Sequence, residues 1–239
     1  MAAVNIQPIT VNTTIFARRL AMSFTQQQLE KHQTLWNQMT SHRFLLETRD
    51  GKIADDIFAQ WMKQDYLFVR AAIPFISALV PKGPLHHWKP HSDVVAMLNK
   101  EMDLFEERAN AVGVSFEGVQ PWFINHAYIQ FLMATAYTAS YPEAYTLLYT
   151  AEKAYHDAWL VVKEGLDPQS KWYPFVENWA SEEFGQYVNY LQGELDAMAS
   201  DVGKAEHQRM EDIFELTVKY EISFWEMAYT GAQWPGIQS

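Results

Sequence analysis

The chain has 239 residues, a formal net charge of −11, 49% hydrophobic residues and no cysteine. That length accommodates one large domain with a substantial core. The missing thiols exclude disulfides, thiolate metal sites and cysteine nucleophiles. The acidic balance argues against nucleic acid and anionic membrane surfaces, which require basic patches.

Nine tryptophans and twelve tyrosines bring polar handles into the core, a composition that lines pockets rather than closing completely. No cationic segment followed by an apolar run opens the sequence, and no stretch of about 18 apolar residues occurs. A cytoplasmic location without membrane contact is therefore expected.

In chain order, residues 1–23 read as an extended polar arm containing Val11-Asn12-Thr13-Thr14-Ile15. Thr25 followed by Gln28 predicts a capping box that opens a helix running to residue 40. A short turn of helix covers 42–47, and Asp50-Gly51 breaks the chain. A long helix over 54–79 carries Ile57, Phe58, Trp61, Met62, Phe68, Val69 and Ala72 on one side, with Pro74 expected to kink it. Pro81, Gly83 and Pro84 predict a loop holding His86, His87 and His91 as surface residues. A third helix follows over 92–112, stopped by Gly113. Its acidic run over 101–107 reads as a solvated face with Met102 and Phe105 turned inward. Further helices are predicted over 122–139, 142–164, 171–179, 181–199 and 204–229. The aromatic stripe Trp122, Tyr128, Phe131 and Tyr137 reads mostly as core. No strand-like run or repeat interrupts the pattern, which predicts an all-α chain with one helical bundle over residues 24–239.

Two acids sit in aromatic helical surroundings. Asp65 falls in Trp61-Met62-Lys63-Gln64-Asp65-Tyr66, close to Phe68. Glu221 falls in Tyr220-Glu221-Ile222-Ser223-Phe224-Trp225. A carboxylate in such a setting is costly to bury unless something pairs with it. The pair points to an enclosed site for a flat, polar, nitrogen-rich ligand, although either acid alone also fits an ordinary structural ion pair.

The same segments carry a family resemblance. His42-Arg43-Phe44, Asp50-Gly51-Lys52-Ile53 and Phe58-Ala59-Gln60-Trp61-Met62-Lys63-Gln64-Asp65-Tyr66 together resemble the N-terminal signature of the TenA (thiaminase II) family. The segment Tyr220–Trp225 resembles its Glu-x-x-Phe-Trp ending. Trp179-Ala180-Ser181-Glu182-Glu183-Phe184 is similar to its Tyr-Ala-Ser-x-Glu-Phe phrase. The resemblance implies a haem-oxygenase-like bundle with an internal pocket that binds a small aromatic heterocycle such as an aminopyrimidine. It implies that Asp65 contacts the ring, that Glu221 shuttles protons and that Tyr155 orients one of them. It places Phe44, Trp61, Phe68, Ala151 and Trp179 around the ligand, and it implies a homo-oligomer, dimer or tetramer.

The match departs from the family at its centre. In Leu147-Leu148-Tyr149-Thr150-Ala151-Glu152, Ala151 stands where the family has its cysteine, and Phe68 and Trp179 replace tyrosines. The implied activity is C–N hydrolysis by acid–base catalysis in a cysteine-less branch. Two alternatives remain: a non-catalytic ligand-binding or regulatory protein, and a cofactor-free oxidase relative. Glu152 adjoins Ala151 on a helix, and the 100° between successive residues places it on another face. Glu101, Asp103, Glu106 and Glu107 lack a histidine at metal-site spacing, so no metal and no cofactor are expected.

Overall fold

The computed structural model describes residues 22–236, so nearly all of the arm over 1–23 lies outside the described residues. Among the described residues ten α-helices follow one another: α1 Phe24–Lys31, α2 Gln33–Thr40, α3 Arg43–Arg49, α4 Asp55–Leu79, α5 Leu85–Ala111, α6 Phe123–Thr138, α7 Tyr141–Lys163, α8 Tyr173–Trp179, α9 Glu182–Asp201 and α10 Lys204–Thr230. Among the described residues there is no strand. No helix among the described residues is long and apolar enough to cross a membrane.

Helix α7 runs through the middle of the bundle. It packs against α10, α9, α3 and α8, while α4 packs against α5, α6 and α10. Its start is fixed locally: Ser140 caps Glu143, and the Glu143 side chain accepts the Ser140 N–H in return, so two orphan donors are satisfied reciprocally. Arg209 of α10 donates to the same Glu143 carboxylate at 2.6 Å, tying the start of α7 to α10. A buried amide latch joins α4 to the start of α6. The Gln64 side chain accepts from Trp122 N and Asn125 Nδ2 and donates to the Gln120 carbonyl.

The core is aromatic. Phe44 stacks on Trp225 at 5.4 Å, Trp61 meets Trp159 edge-on at 4.8 Å, and Phe58 stacks on Trp172 at 4.3 Å. Such pairs add to plain area burial. Tyr137, read as part of a core stripe, is 72% exposed at the end of α6.

Three local expectations are corrected. The first predicted helix is two, broken at His32, and its capping box is Ser23–Gln26 rather than Thr25–Gln28. Thr25 has a tertiary partner instead: its N–H and hydroxyl donate to the two Asp196 oxygens at 2.8 and 3.0 Å. Helix α5 starts seven residues earlier than predicted and carries Pro90 inside it. His87 and His91, read as surface residues, are therefore helical and buried at 1% and 2% exposure.

The Thr25–Asp196 pair staples α1 onto α9. Because the buried Thr25 N–H loses its acceptor when the carboxylate is removed, Asp196→Ala is expected to destabilise the protein by about 1–3 kcal/mol. Chemical denaturation would check this through the shift in midpoint.

Candidate functional site

One cavity lies among α4, α5, α7 and α9, capped by Trp179 at the end of α8. It encloses about 650 Å³, open mouth included, and its wall is largely apolar: Phe68, Ala72, Phe75, Leu132, Leu147, Leu148 and Phe184 among others. A second hollow of about 670 Å³ shares Val94, Met97, Trp179, Phe184 and Tyr187 with it, and adds Asp93, Glu101 and Glu183. The rim is thus acidic while the interior is aromatic.

Helix periodicity explains who faces inward. On α7, Leu147, Leu148, Ala151, Glu152 and Tyr155 share a stripe with spacings of three and four, wide enough to hold two adjacent residues. Ala151 and Glu152 therefore both line the cavity, which corrects the assignment of Glu152 to another face. Glu152 is partly exposed. Burial pushes its carboxyl up to about 8, with the nearby Glu101 adding to the shift.

Asp65 and Glu221 sit behind this floor, both essentially without solvent exposure. Tyr155, itself a wall residue, donates its hydroxyl to Asp65 Oδ1. Tyr128 donates to Glu221 Oε1 at 2.6 Å. The second oxygens, Asp65 Oδ2 and Glu221 Oε2, have no hydrogen-bond partner among the described residues. An ionised carboxylate half-satisfied in a low-dielectric interior is costly, so the neutral form gains. Burial raises Asp65 to about 7 against the Tyr155 hydrogen bond. Burial likewise raises Glu221 to about 8; the Tyr128 hydrogen bond opposes the shift, and the charges of Asp65 and Glu152 add to it. Burial and the adjacent acids hold the phenols of Tyr155 and Tyr128 well above their usual range, so both remain donors.

Phe68, Ala151, Tyr155 and Trp179 line the cavity. Asp65 and Glu221 form the polar layer behind it. Trp61 and Phe44 lie in the aromatic cluster around Trp159 and Trp225, outside the cavity wall. Tyr128, Phe184 and Tyr187 were not singled out as site residues from sequence. Tyr187 Oη is a buried hydroxyl without a partner among the described residues. Its signal was its spacing three residues after Phe184 on a helix whose inner face also carries Leu191. Cavity, phenols and coupled acids together can bind a flat ring and move protons on and off it.

The acids make stability depend on pH. Their folded values, about 7 and about 8, lie above ordinary values of 3.8 and 4.5, so the native state holds these protons to higher pH than the unfolded chain does. Their stabilising contribution is complete below about pH 4 and is lost as pH rises through 7–8. Each group contributes a slope of at most about 1.4 kcal/mol per pH unit. Thermal melts from pH 5 to 9 should show falling stability, and Asp65→Asn or Glu221→Gln should each flatten the fall.

Comparison with known proteins places this geometry. Residues 29–231 match the TENA/THI-4/PQQC family model. A probable bifunctional TENA-E protein of Glycine max is 29% identical over 226 residues, covering 89% of this chain and 96% of its own length. An aminopyrimidine aminohydrolase of Halalkalibacterium halodurans is 29% identical over 222 residues, covering 89% and 98%. The solved structure of a TenA homologue from Pyrococcus furiosus superposes with a TM-score of 0.83 at 31% identity, covering 86% of this chain and all of that one. The bundle is of the haem-oxygenase-like type.

Proposed function

This chain belongs to the TENA/THI-4/PQQC family, and we propose that it hydrolyses a C–N bond of an aminopyrimidine-class heterocycle by acid–base catalysis without a thiol. The observation that carries the reading is the set of three carboxyls, Asp65, Glu152 and Glu221, gathered at an aromatic cavity with values raised into the neutral range. Groups poised near the working pH are the efficient proton carriers. The similarity to an aminopyrimidine aminohydrolase supports the substrate class.

In this mechanism the ring enters between Phe68 and Trp179. Tyr155, whose hydroxyl proton goes to Asp65, accepts a hydrogen bond on its phenol oxygen from an amino substituent or a protonated ring nitrogen. Glu152 is the carboxyl in the wall and exchanges protons with the reacting atoms. Water's oxygen bonds to the carbon, the C–N bond breaks, and the amine leaves with the proton that Glu152 supplies. Glu152 returns to its acid form with the proton lost by the water. Glu221 feels the charge of both Asp65 and Glu152. It keeps the complementary protonation state and serves as the second proton carrier, the pattern of paired acids whose environments set them apart. Ala151 leaves room for the ring and offers no nucleophile.

Ammonia release from aminopyrimidine substrates tests the reading. Turnover should be unaffected by thiol alkylation. Glu152→Gln should lower kcat by about 10²–10⁴-fold with ligand affinity preserved. Glu221→Gln should also lower kcat, because the second proton carrier is lost. Full turnover in Glu152→Gln would refute the assignment. Saturable binding with no release of ammonia by the wild type would favour the ligand-binding reading, which Ala151 motivates.

A further inference from the structure

Away from the cavity, the first turns of α5 and the middle of α9 bring together a second polar cluster. His87 Nε2 lies 2.8 Å and His86 Nε2 3.3 Å from one oxygen, Glu194 Oε2. Ligand atoms of all three side chains fall within 4.8 Å of one another. We propose that His86, His87 and Glu194 form a three-ligand site for a divalent cation of the Zn²⁺ class.

Tetrahedral Zn²⁺ with bonds of about 2.0–2.1 Å holds its ligand atoms about 3.3 Å apart; His86 Nε2 already stands 3.3 Å from Glu194 Oε2, and His87 Nε2, at 2.8 Å, would move out by about half an ångström to admit the ion. The donor set fits as well: two imidazoles and one carboxylate suit Zn²⁺, and three protein ligands leave a fourth position for water. His86 is exposed and gives an ion access, whereas His87 is buried.

The surroundings carry the argument further. His87 Nδ1 lies 2.5 Å from Tyr141 Oη, and the same oxygen lies 2.8 Å from His91 Nε2. A phenol placed between two imidazoles can donate to either and accept from the other. With His87 Nε2 protonated toward Glu194, Tyr141 donates to His87 and accepts from His91. With His87 Nε2 coordinating a metal, His87 Nδ1–H donates to Tyr141, which turns its proton toward His91. The relay thus satisfies the tautomer a metal needs, the role outer partners play around metal-bound histidine. Gly83 makes room for it: a Cβ there would lie 2.6–2.8 Å from the Tyr141 ring.

A metal here would tie together two helices with different main supports. Helix α5 packs chiefly on α4, and α9 chiefly on α7. One turn beyond His91 and two turns before Glu194, the same helices supply Val94 and Tyr187 to the cavity mouth. The ion would act as a clip on the two walls of the entrance.

The test uses untagged, chelator-treated full-length protein titrated with Zn²⁺ against a chromophoric chelator, and with Co²⁺ read by visible absorption. The expected result is one saturable equivalent, a four-coordinate Co²⁺ spectrum and a higher melting temperature with Zn²⁺. His86→Ala, at an exposed ring, and Glu194→Gln should each abolish that equivalent and the melting shift. Tyr141→Phe should weaken binding by about 10–100-fold. Circular dichroism confirms that each variant is folded. No saturable binding by the wild type, or undiminished binding in both His86→Ala and Glu194→Gln, would overturn the proposal.

Discussion

The hydrogen bond from Tyr155 to Asp65 is the interaction around which the cavity is organised. It joins α4 to α7, the two long helices that supply most of the cavity floor, and it does so with groups an aromatic interior otherwise excludes. Because the phenol is held well above its usual range, it is always the donor, and Asp65 always accepts on Oδ1. That fixes the Tyr155 ring, which stacks on Trp225 at 5.5 Å and meets Trp179 edge-on at 5.6 Å. Position, hydrogen-bonding sense and wall geometry all follow from this one buried pair. The second pair, Tyr128 with Glu221, repeats the arrangement from α6 to α10. Phe68, between the two systems, touches Tyr128 at 4.6 Å and Phe224 at 5.8 Å.

Much of this was legible in the sequence because helix periodicity and burial cost are local rules. Trp61, Asp65, Phe68 and Ala72 follow one inward stripe, and an acid on such a stripe demands a partner. The identity of that partner was legible through the Tyr155 segment only by resemblance, since 90 residues separate the two. The placement of Glu152 was not. Measured from Ala151 alone it points 100° away, but the cavity spans a broader arc of α7 than one residue's direction. Leu148, Glu152 and Tyr155 are spaced four and three apart, a signal that a single-pair argument overlooks. The start of α5 was misplaced for a different reason. Pro90 reads as a boundary, yet the helix begins at Leu85 and continues through it, although proline there removes an i→i−4 hydrogen bond; a boundary at Pro90 leaves the histidine cluster in a surface loop. Thr25 was read as a cap because capping residues and tertiary donors are the same residue types. Only Asp196, across the fold, distinguishes them.

The departure at Ala151 has a physical consequence that the neighbouring residue answers. A thiol at that position offers both a nucleophile and a titrating group. Ala151 removes both, while Glu152, on the same wall, supplies a titrating group whose value is raised to about 8 by burial. A carboxyl of that kind can give a proton near neutral pH, which a solvated glutamic acid cannot. The change from tyrosine-like to apolar walls at Phe68 and Trp179 strengthens the effect, because fewer donors surround the carboxyls and the cost of ionising them grows. In the proposed reaction, an alanine at 151 and apolar side chains at 68 and 179 fit acid–base chemistry by carboxyls of raised pKa rather than covalent chemistry.

The electrostatics of the entrance and the interior then divide the work of recognition. Asp93, Glu101 and Glu183 line the outer hollow, where carboxylates attract a cationic or amine-bearing ligand. Inside, burial raises Asp65 to about 7 and Glu152 and Glu221 to about 8, so near neutral pH the site presents carboxyl protons and apolar surface rather than three fixed charges. Under the proposed function, a basic heterocycle crossing from rim to floor leaves a field that favours its cation for one whose carboxyls can themselves give a proton up. A neutral acid and a neutral ring nitrogen meeting there share a hydrogen bond, because separating them into an ion pair in a dry interior must offset the desolvation of both charges. A ring of similar shape with no basic nitrogen gains only the stacking of Phe68 and Trp179, so discrimination in that reading rests on the proton that Glu152, Glu221 or Asp65 can offer.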